Sequence, residues 1–172
     1  MKKFILTDET IEMFGVTLHR IKAVRSFGNV AEGDLGGFVE KEENISEHFE
    51  AWVYGNAKVW GNAKVWGNAE VWGNAKVSGN AKVSGNAKVW GNAEVLGNAE
   101  VSGNADYIVF KNWWSSGRYF TWTRSNNMLS VGCFYGTGEE LIKKAYQDSE
   151  KSGREYERVV KFVQSILEEE EQ

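Results

Sequence analysis

Between Gly55 and Asp106 the apolar and polar positions recur with a period of six residues. The unit reads Gly-Asn-Ala-(Lys/Glu)-Val-x. It begins at Gly55, Gly61, Gly67, Gly73, Gly79, Gly85, Gly91, Gly97 and Gly103, and only the last copy lacks the Val. A short fixed period predicts a stacked, quasi-one-dimensional fold rather than a globular core. Ala and Val stand two residues apart, so on an extended backbone they share one side, while the charged residue between them and x share the other. Ala and Val are therefore the inward face, and Lys58, Lys64, Glu70, Lys76, Lys82, Lys88, Glu94 and Glu100 point outward. Gly and Asn most readily take positive φ, so each Gly-Asn pair predicts a corner. Two-residue hairpins would make the inward face alternate sides; a coiled solenoid fits the pattern better.

These units resemble the hexapeptide pattern of left-handed parallel β-helices, in which an aliphatic residue and a small residue two places before it fill a triangular prism. The resemblance implies three units per coil, and a hand that departs from the usual right-handed crossover. With residues three units apart stacked, the x positions form three columns: Tyr54, Trp72, Trp90 and Ile108; Trp60, Ser78 and Leu96; Trp66, Ser84 and Ser102. The charged columns mix signs, Lys58 over Lys76 over Glu94 and Glu70 over Lys88 over Asp106, which favours this register. Each Asn falls above another Asn, predicting amide ladders. So short a prism has two open ends that the flanks must cap.

Residues 1–36 read as an N-terminal cap with short strands at Phe4–Leu6 and Val16–Ile21 and a turn at Gly15. Residues 37–108 form the β-helix, beginning with an irregular coil. There Val39, Ile45 and Ala51 hold the small-residue register, while Lys41 and Glu47 occupy the aliphatic one. Residues 109–172 form a C-terminal β-meander and helices. Tyr107–Trp114, Arg118–Arg124 and Met128–Tyr135 read as three strands joined by Ser-Gly and Ser-Asn turns. Thr137 and Glu140 make a capping box for a first helix. Ser152-Gly153 interrupts it, and a second helix from about Arg154 carries a stripe of Tyr156, Val159, Val160, Val163, Ile166 and Leu167 before ending in Glu168 to Glu171.

The segments Leu18–Ala23, Gly33–Glu40, Asn44–Ser46 and Ala51–Tyr54, followed by the repeat, resemble the start of YdcK-like hexapeptide-repeat proteins of bacteria and phages. Gly132-Cys133-Phe134 and Gly136–Leu141 look like the C-terminal module that follows such repeats in phage-type proteins. The transferase label attached to that group rests on its fold, which does not establish an activity.

Composition narrows the classes. The chain is 42% hydrophobic and 13% aromatic, with eight Trp, enough to bury a core over 172 residues. The single Cys133 permits no internal disulfide and fits a reducing cytoplasm, the host's if the chain is phage-encoded; a buried, inert thiol is expected there. The start, Met1-Lys2-Lys3-Phe4-Ile5-Leu6, has the charge of a leader, but Asp8 and Glu9 end its apolar run. No stretch approaches a membrane span. The net charge of −4 is spread without a basic segment, so nucleic acid is not an expected partner.

Candidate chemistry is sparse. Hexapeptide acyltransferases use a His as general base, and of His19 and His48 only His48 is placed for that role, with acetyl-coenzyme A as donor. Two His and one Cys do not make the three-His zinc site of β-helical carbonic anhydrases, so no metal is expected. The aromatic surplus is more informative. Outward Trp60, Trp66, Trp72 and Trp90 would form a large apolar patch unless the N-terminal segment, the C-terminal helix or neighbouring subunits cover them. Hexapeptide proteins commonly trimerise, so a homo-oligomer is expected, a trimer first and a dimer second. Left open, the same Trp residues form a surface for a protein partner, or a stacking platform for sugars or bases. Trp113, Trp114, Trp122, Arg118 and Arg124 form either an aromatic-basic pocket or the ordinary contents of a sheet packed on a helix. The leading expectation is a non-catalytic binding or scaffold protein, phage-encoded and inhibiting or sequestering a host factor. An acyltransferase using His48 and a self-assembling β-helix are the alternatives.

Overall fold

The computed structural model describes residues 2–170. Met1 of the leader reading and Glu171 of the acidic helix end lie outside them. The chain opens with an antiparallel hairpin, β1 (Phe4–Met13) and β2 (Val16–Ala23), turned at Phe14-Gly15, both in left-handed φ. The first strand is longer than its apolar start suggests, because after an irregularity between Leu6 and Thr10 the segment Thr10–Met13 pairs with β2 again despite its mixed sequence. β3 (Leu35–Val39) lies antiparallel to β2 and parallel to the solenoid, so the hairpin continues one prism face.

The solenoid strands are two residues each: β4 (Trp52–Val53), β5 (Lys58–Val59), β6 (Lys64–Val65), β7 (Glu70–Val71), β8 (Lys76–Val77), β9 (Lys82–Val83), β10 (Lys88–Val89), β11 (Glu94–Val95) and β12 (Glu100–Val101). They stack in parallel into three faces, β5-β8-β11, β4-β7-β10 and β6-β9-β12, with Lys58 over Lys76 over Glu94 as the repeat predicts. Every Ala and Val of the first eight units is fully buried. This is a parallel β-helix whose core consists of those two residue types because the prism admits little else.

At each corner the carbonyl of x accepts the N–H of Ala, as from Ala57 to Tyr54 at 3.1 Å, with Gly at positive φ and Asn not. That is the type II′ pattern. Asn therefore serves the corner by its amide rather than by its backbone: Asn62 donates to Asn80 and Asn80 to Asn98, both at 3.2 Å. Lys76–Glu94 and Lys82–Glu100 pair at 2.7 Å between coils, and Lys88–Glu70 at 3.1 Å. Asp106 does not extend the last of these columns. Gly103 is extended, Asn104–Asp106 forms a 3-10 turn, and the Asp106 carboxylate accepts the N–H groups of Ser102 and Gly103 at 2.7 and 2.8 Å.

The irregular first coil corrects the sequence register. Val39 stacks on Val59 and Ile45 on Val65, so both hold the aliphatic position, not the small one. Ala51 alone keeps the small register, since its neighbour Trp52 pairs with Glu70. Two extra residues between Ile45 and Ala51 absorb the shift, in a bend where Phe49 takes φ 61°.

After the prism come four antiparallel strands in meander order, β13 (Tyr107–Lys111), β14 (Tyr119–Thr123), β15 (Met128–Val131) and β16 (Phe134–Gly136). The third expected strand is thus two, folded at Gly132-Cys133. Cys133 is exposed in that turn, contrary to the expected buried thiol. α1 (Gly138–Asp148) carries the predicted Thr137–Glu140 capping box. α2 (Glu150–Glu170) starts before Ser152, whose N–H donates to Ser149 Oγ at 3.1 Å. Gly153 does not break it; a Cβ there would lie 2.3 Å from the Tyr146 ring, so Gly lets the two helices close. The helices and the meander share a second core built on Trp114, Phe120, Trp122, Leu129, Leu141 and Val160.

The meander closes the prism's C-terminal end. In the stack each coil donates N–H groups to the next, as from Lys76 to Ala93 and from Lys82 to Ala99, so the last coil has donors with no coil beyond. Side-chain oxygens take them: Asn104 Oδ1 accepts from Lys88, Thr121 Oγ1 from Glu94 and Ser125 Oγ from Glu100, at 3.0, 2.9 and 2.7 Å. Each face ends on a side chain rather than on an open edge.

Candidate binding surface

The six-residue period sends every x residue outward, but the corners divide them among three directions. Trp60, Trp66 and Trp72, adjacent along one coil, therefore do not form one surface. Only Tyr54, Trp72 and Trp90 follow each other down one corner. The Tyr54 and Trp72 rings stack at 3.7 Å with an 8° tilt. Burial, then the Glu70 carboxylate, pushes the Tyr54 phenol up to about 12, so it stays neutral. Trp72 donates its indole N–H to Glu70 at 2.9 Å and is 38% exposed.

Trp90 departs from this stack and is 68% exposed. It stands between two hollows. One, about 250 Å³, lies between Trp90 and Trp72 and is flanked by Glu70 and Lys88. The other, about 630 Å³, runs from Trp90 to Tyr107, Ile108, Val109 and Tyr119 at the start of the C-terminal sheet. Ile108, which the column reading placed beneath Trp90, lines this groove.

The remaining outward aromatics differ. Trp52 is buried beneath Phe4 and Phe27, at ring distances of 5.9 and 5.4 Å, so the N-terminal segment covers the top of that face. The hairpin tip brings Phe14 within 6.3 Å of Trp60, which is half-buried. Trp66 is exposed and walls a groove of about 550 Å³ that also contains His48, Glu43, Glu47, Lys64 and Lys82. His48 itself is exposed, with its backbone N–H on Ser46. His19 contacts the Thr7 carbonyl through Nδ1 at 3.2 Å, within the N-terminal hairpin.

The C-terminal aromatic-basic group does not converge on one pocket. β14 is buried on both sides, so Phe120 and Trp122 face the helices while Thr121 and Thr123 lie on the opposite side, where Thr121 meets the prism. Trp114 packs edge-on to Tyr156 at 4.8 Å, and Trp122 donates to Asn127 at 2.8 Å. Both belong to the core, which is the sheet-on-helix reading. Trp113 remains 69% exposed. Arg118 borders a separate hollow with Cys133, Tyr119 and Phe14, and Arg124 donates its backbone N–H to Asp106.

Tyr107, Val109 and Tyr119 escaped the sequence reading as site residues. The only available signal was that Tyr107 begins the first strand after the repeat, which makes it the junction of the two modules. Among the described residues, no group of three or more His, Cys, Asp or Glu is placed to hold a metal ion, and no helix is long and apolar enough to cross a membrane. No protein-family model matches the sequence, and no curated protein matches it significantly.

Proposed function

We propose that this chain is a binding protein in which the capped β-helix is a rigid scaffold and the Trp72–Trp90 corner, continued into the C-terminal sheet, receives a protein partner. The observation that carries the reading is the exposed Trp90 between two hollows. A large indole held out from a rigid corner is the side chain most enriched among interface hot spots. Capped ends favour a discrete scaffold over the self-assembling alternative. The resemblance to phage-type repeat proteins adds the finer form: a phage-encoded chain that sequesters a host factor in the host cytoplasm.

Light scattering on a sizing column tests this first. A stable trimer or dimer that dissociates in Trp72→Ala/Trp90→Ala would assign the corner to self-association and overturn the partner reading. A monomer whose partner capture is lost in the same variant, with unchanged melting, supports it.

The acyltransferase alternative keeps one observation in its favour, the groove that joins His48 to Trp66, Lys64 and Lys82. Calorimetry with acetyl-coenzyme A, comparing the wild type with His48→Ala, decides it; no heat of binding would remove it.

A further inference from the structure

The groove beside Trp90 is lined in part by β13. β13 is an edge strand, paired only with β14. Its hydrogen-bonding phase follows from the two ends of the ladder: Arg124 donates to the Asp106 carbonyl and Asn112 to the Arg118 carbonyl, each at 2.8 Å. Even-numbered residues of the strand therefore turn their N–H and C=O toward β14, and Tyr107, Val109 and Lys111 turn theirs away. Among the described residues nothing meets these outward groups. Tyr107 and Val109 line the groove that Trp90 closes on its far side.

The other edges are protected. β1 carries Asp8, Glu9 and Glu12 and an irregularity between Leu6 and Thr10, and β16 is three residues long. These are the usual devices against strand addition. β13, with the sequence Tyr-Ile-Val-Phe-Lys, is five residues long with no bulge, and its one charged residue, Lys111, stands at its end.

We infer that β13 accepts an extended segment of a partner protein as a fifth strand, hydrogen-bonded to Tyr107, Val109 and Lys111, with an apolar side chain against Trp90 and an acidic one toward Lys111. The charge preference follows from the end of the strand, where Lys111 stands beyond the residues that line the groove. No acidic residue lines the groove, and the Lys111 ammonium, 5.8 Å from the Tyr119 ring centroid, has no carboxylate partner among the described residues. Strand addition takes its affinity from main-chain bonds and its selectivity from alternate side chains. The inference rests on the partner-binding reading and adds its docking mode.

The test is selection from a displayed library of short random peptides on the full chain. The expected winners alternate apolar residues and carry one acidic residue. Val109→Pro removes an outward N–H and leaves the β14 ladder intact, as proline is tolerated on such edges. It should weaken the selected peptides about tenfold, as a lost hydrogen bond would. Lys111→Glu should exchange the acidic preference for a basic one, which keeps the proposal testable if Val109→Pro folds poorly. Peptides that bind Val109→Pro and wild type equally but lose Trp90→Ala would overturn strand addition and leave the Trp surface standing. An empty selection would overturn strand addition alone, and a dimer of the chain itself abolished by Val109→Pro would replace the partner with a second copy.

Discussion

At the scale of single residues, the N-terminal end of the prism turns on Lys3. Its side chain is wholly buried, and Nζ donates to the carbonyls of Ser46 and, at 2.8 Å, Ala51, beside the Phe27 ring at 4.9 Å. Burial, opposed by Glu47 and reinforced by Arg25, pushes its ammonium down to about 8 from an ordinary 10.5. A neutral amine still has two N–H groups for two carbonyls, so the geometry survives deprotonation. Between those two values the unfolded chain holds more protons than the folded one, and stability must rise with pH. The slope reaches at most about 1.4 kcal/mol per pH unit. Above pH 10 the raised Tyr54 acts in the opposite direction, because the folded chain then holds the extra proton. Urea midpoints measured from pH 7 upward should climb from about pH 8 toward pH 10, and Lys3→Met should lose the climb. A flat wild-type profile would mean that the ammonium is hydrated after all.

At the scale of elements, the corners combine two demands on glycine that can be separated. Gly79 and Gly91 have nearly the same left-handed φ, 70° and 68°. A Cβ on Gly79 would sit 3.0 Å from the backbone N and O of Gly97, whereas one on Gly91 would meet nothing within 4 Å. Gly91→Ala therefore carries the φ cost alone, about 1–2 kcal/mol. Gly79→Ala adds an overpacking cost of roughly 1–3 kcal/mol. Equal losses in chemical denaturation would show that the coils part freely. These corners were legible in the sequence because Gly-Asn-Ala-x-Val is a local pattern that the first eight units repeat without exception. What stayed hidden was tertiary. Val39 and Ile45 are aliphatic and suit either register, so their spacing could not reveal the two inserted residues. Gly153 looks like a helix breaker until the Tyr146 ring is seen against it. The Trp72 and Trp90 positions were readable from the period, but not that Trp90 leaves the Tyr54–Trp72 stack to border a groove with β13.

At the scale of the whole molecule, two cores are joined through a layer of polar caps. The prism interior and the meander-helix core are separate clusters, and Tyr107 belongs to the first although it begins a strand of the second sheet. Between them lie Thr121 on the Glu94 N–H, Ser130 on the Glu94 carboxylate at 2.9 Å, and Ser125 on the Glu100 N–H. Thr121 is fully buried, so no water replaces its oxygen without a rearrangement. Thr121→Val keeps the shape and leaves a buried donor unmet, a loss of about 1–3 kcal/mol. Thr121→Ser keeps the oxygen and loses only a methyl group. If the caps make the two cores one cooperative unit, Thr121→Val should lower the midpoint well below that of Thr121→Ser, and the far-ultraviolet and Trp-fluorescence transitions, coincident in the wild type, should separate. A Thr121→Val transition that is unshifted and still coincident would mean that apolar contact alone holds the module to the prism, and that the Glu94 donor finds water.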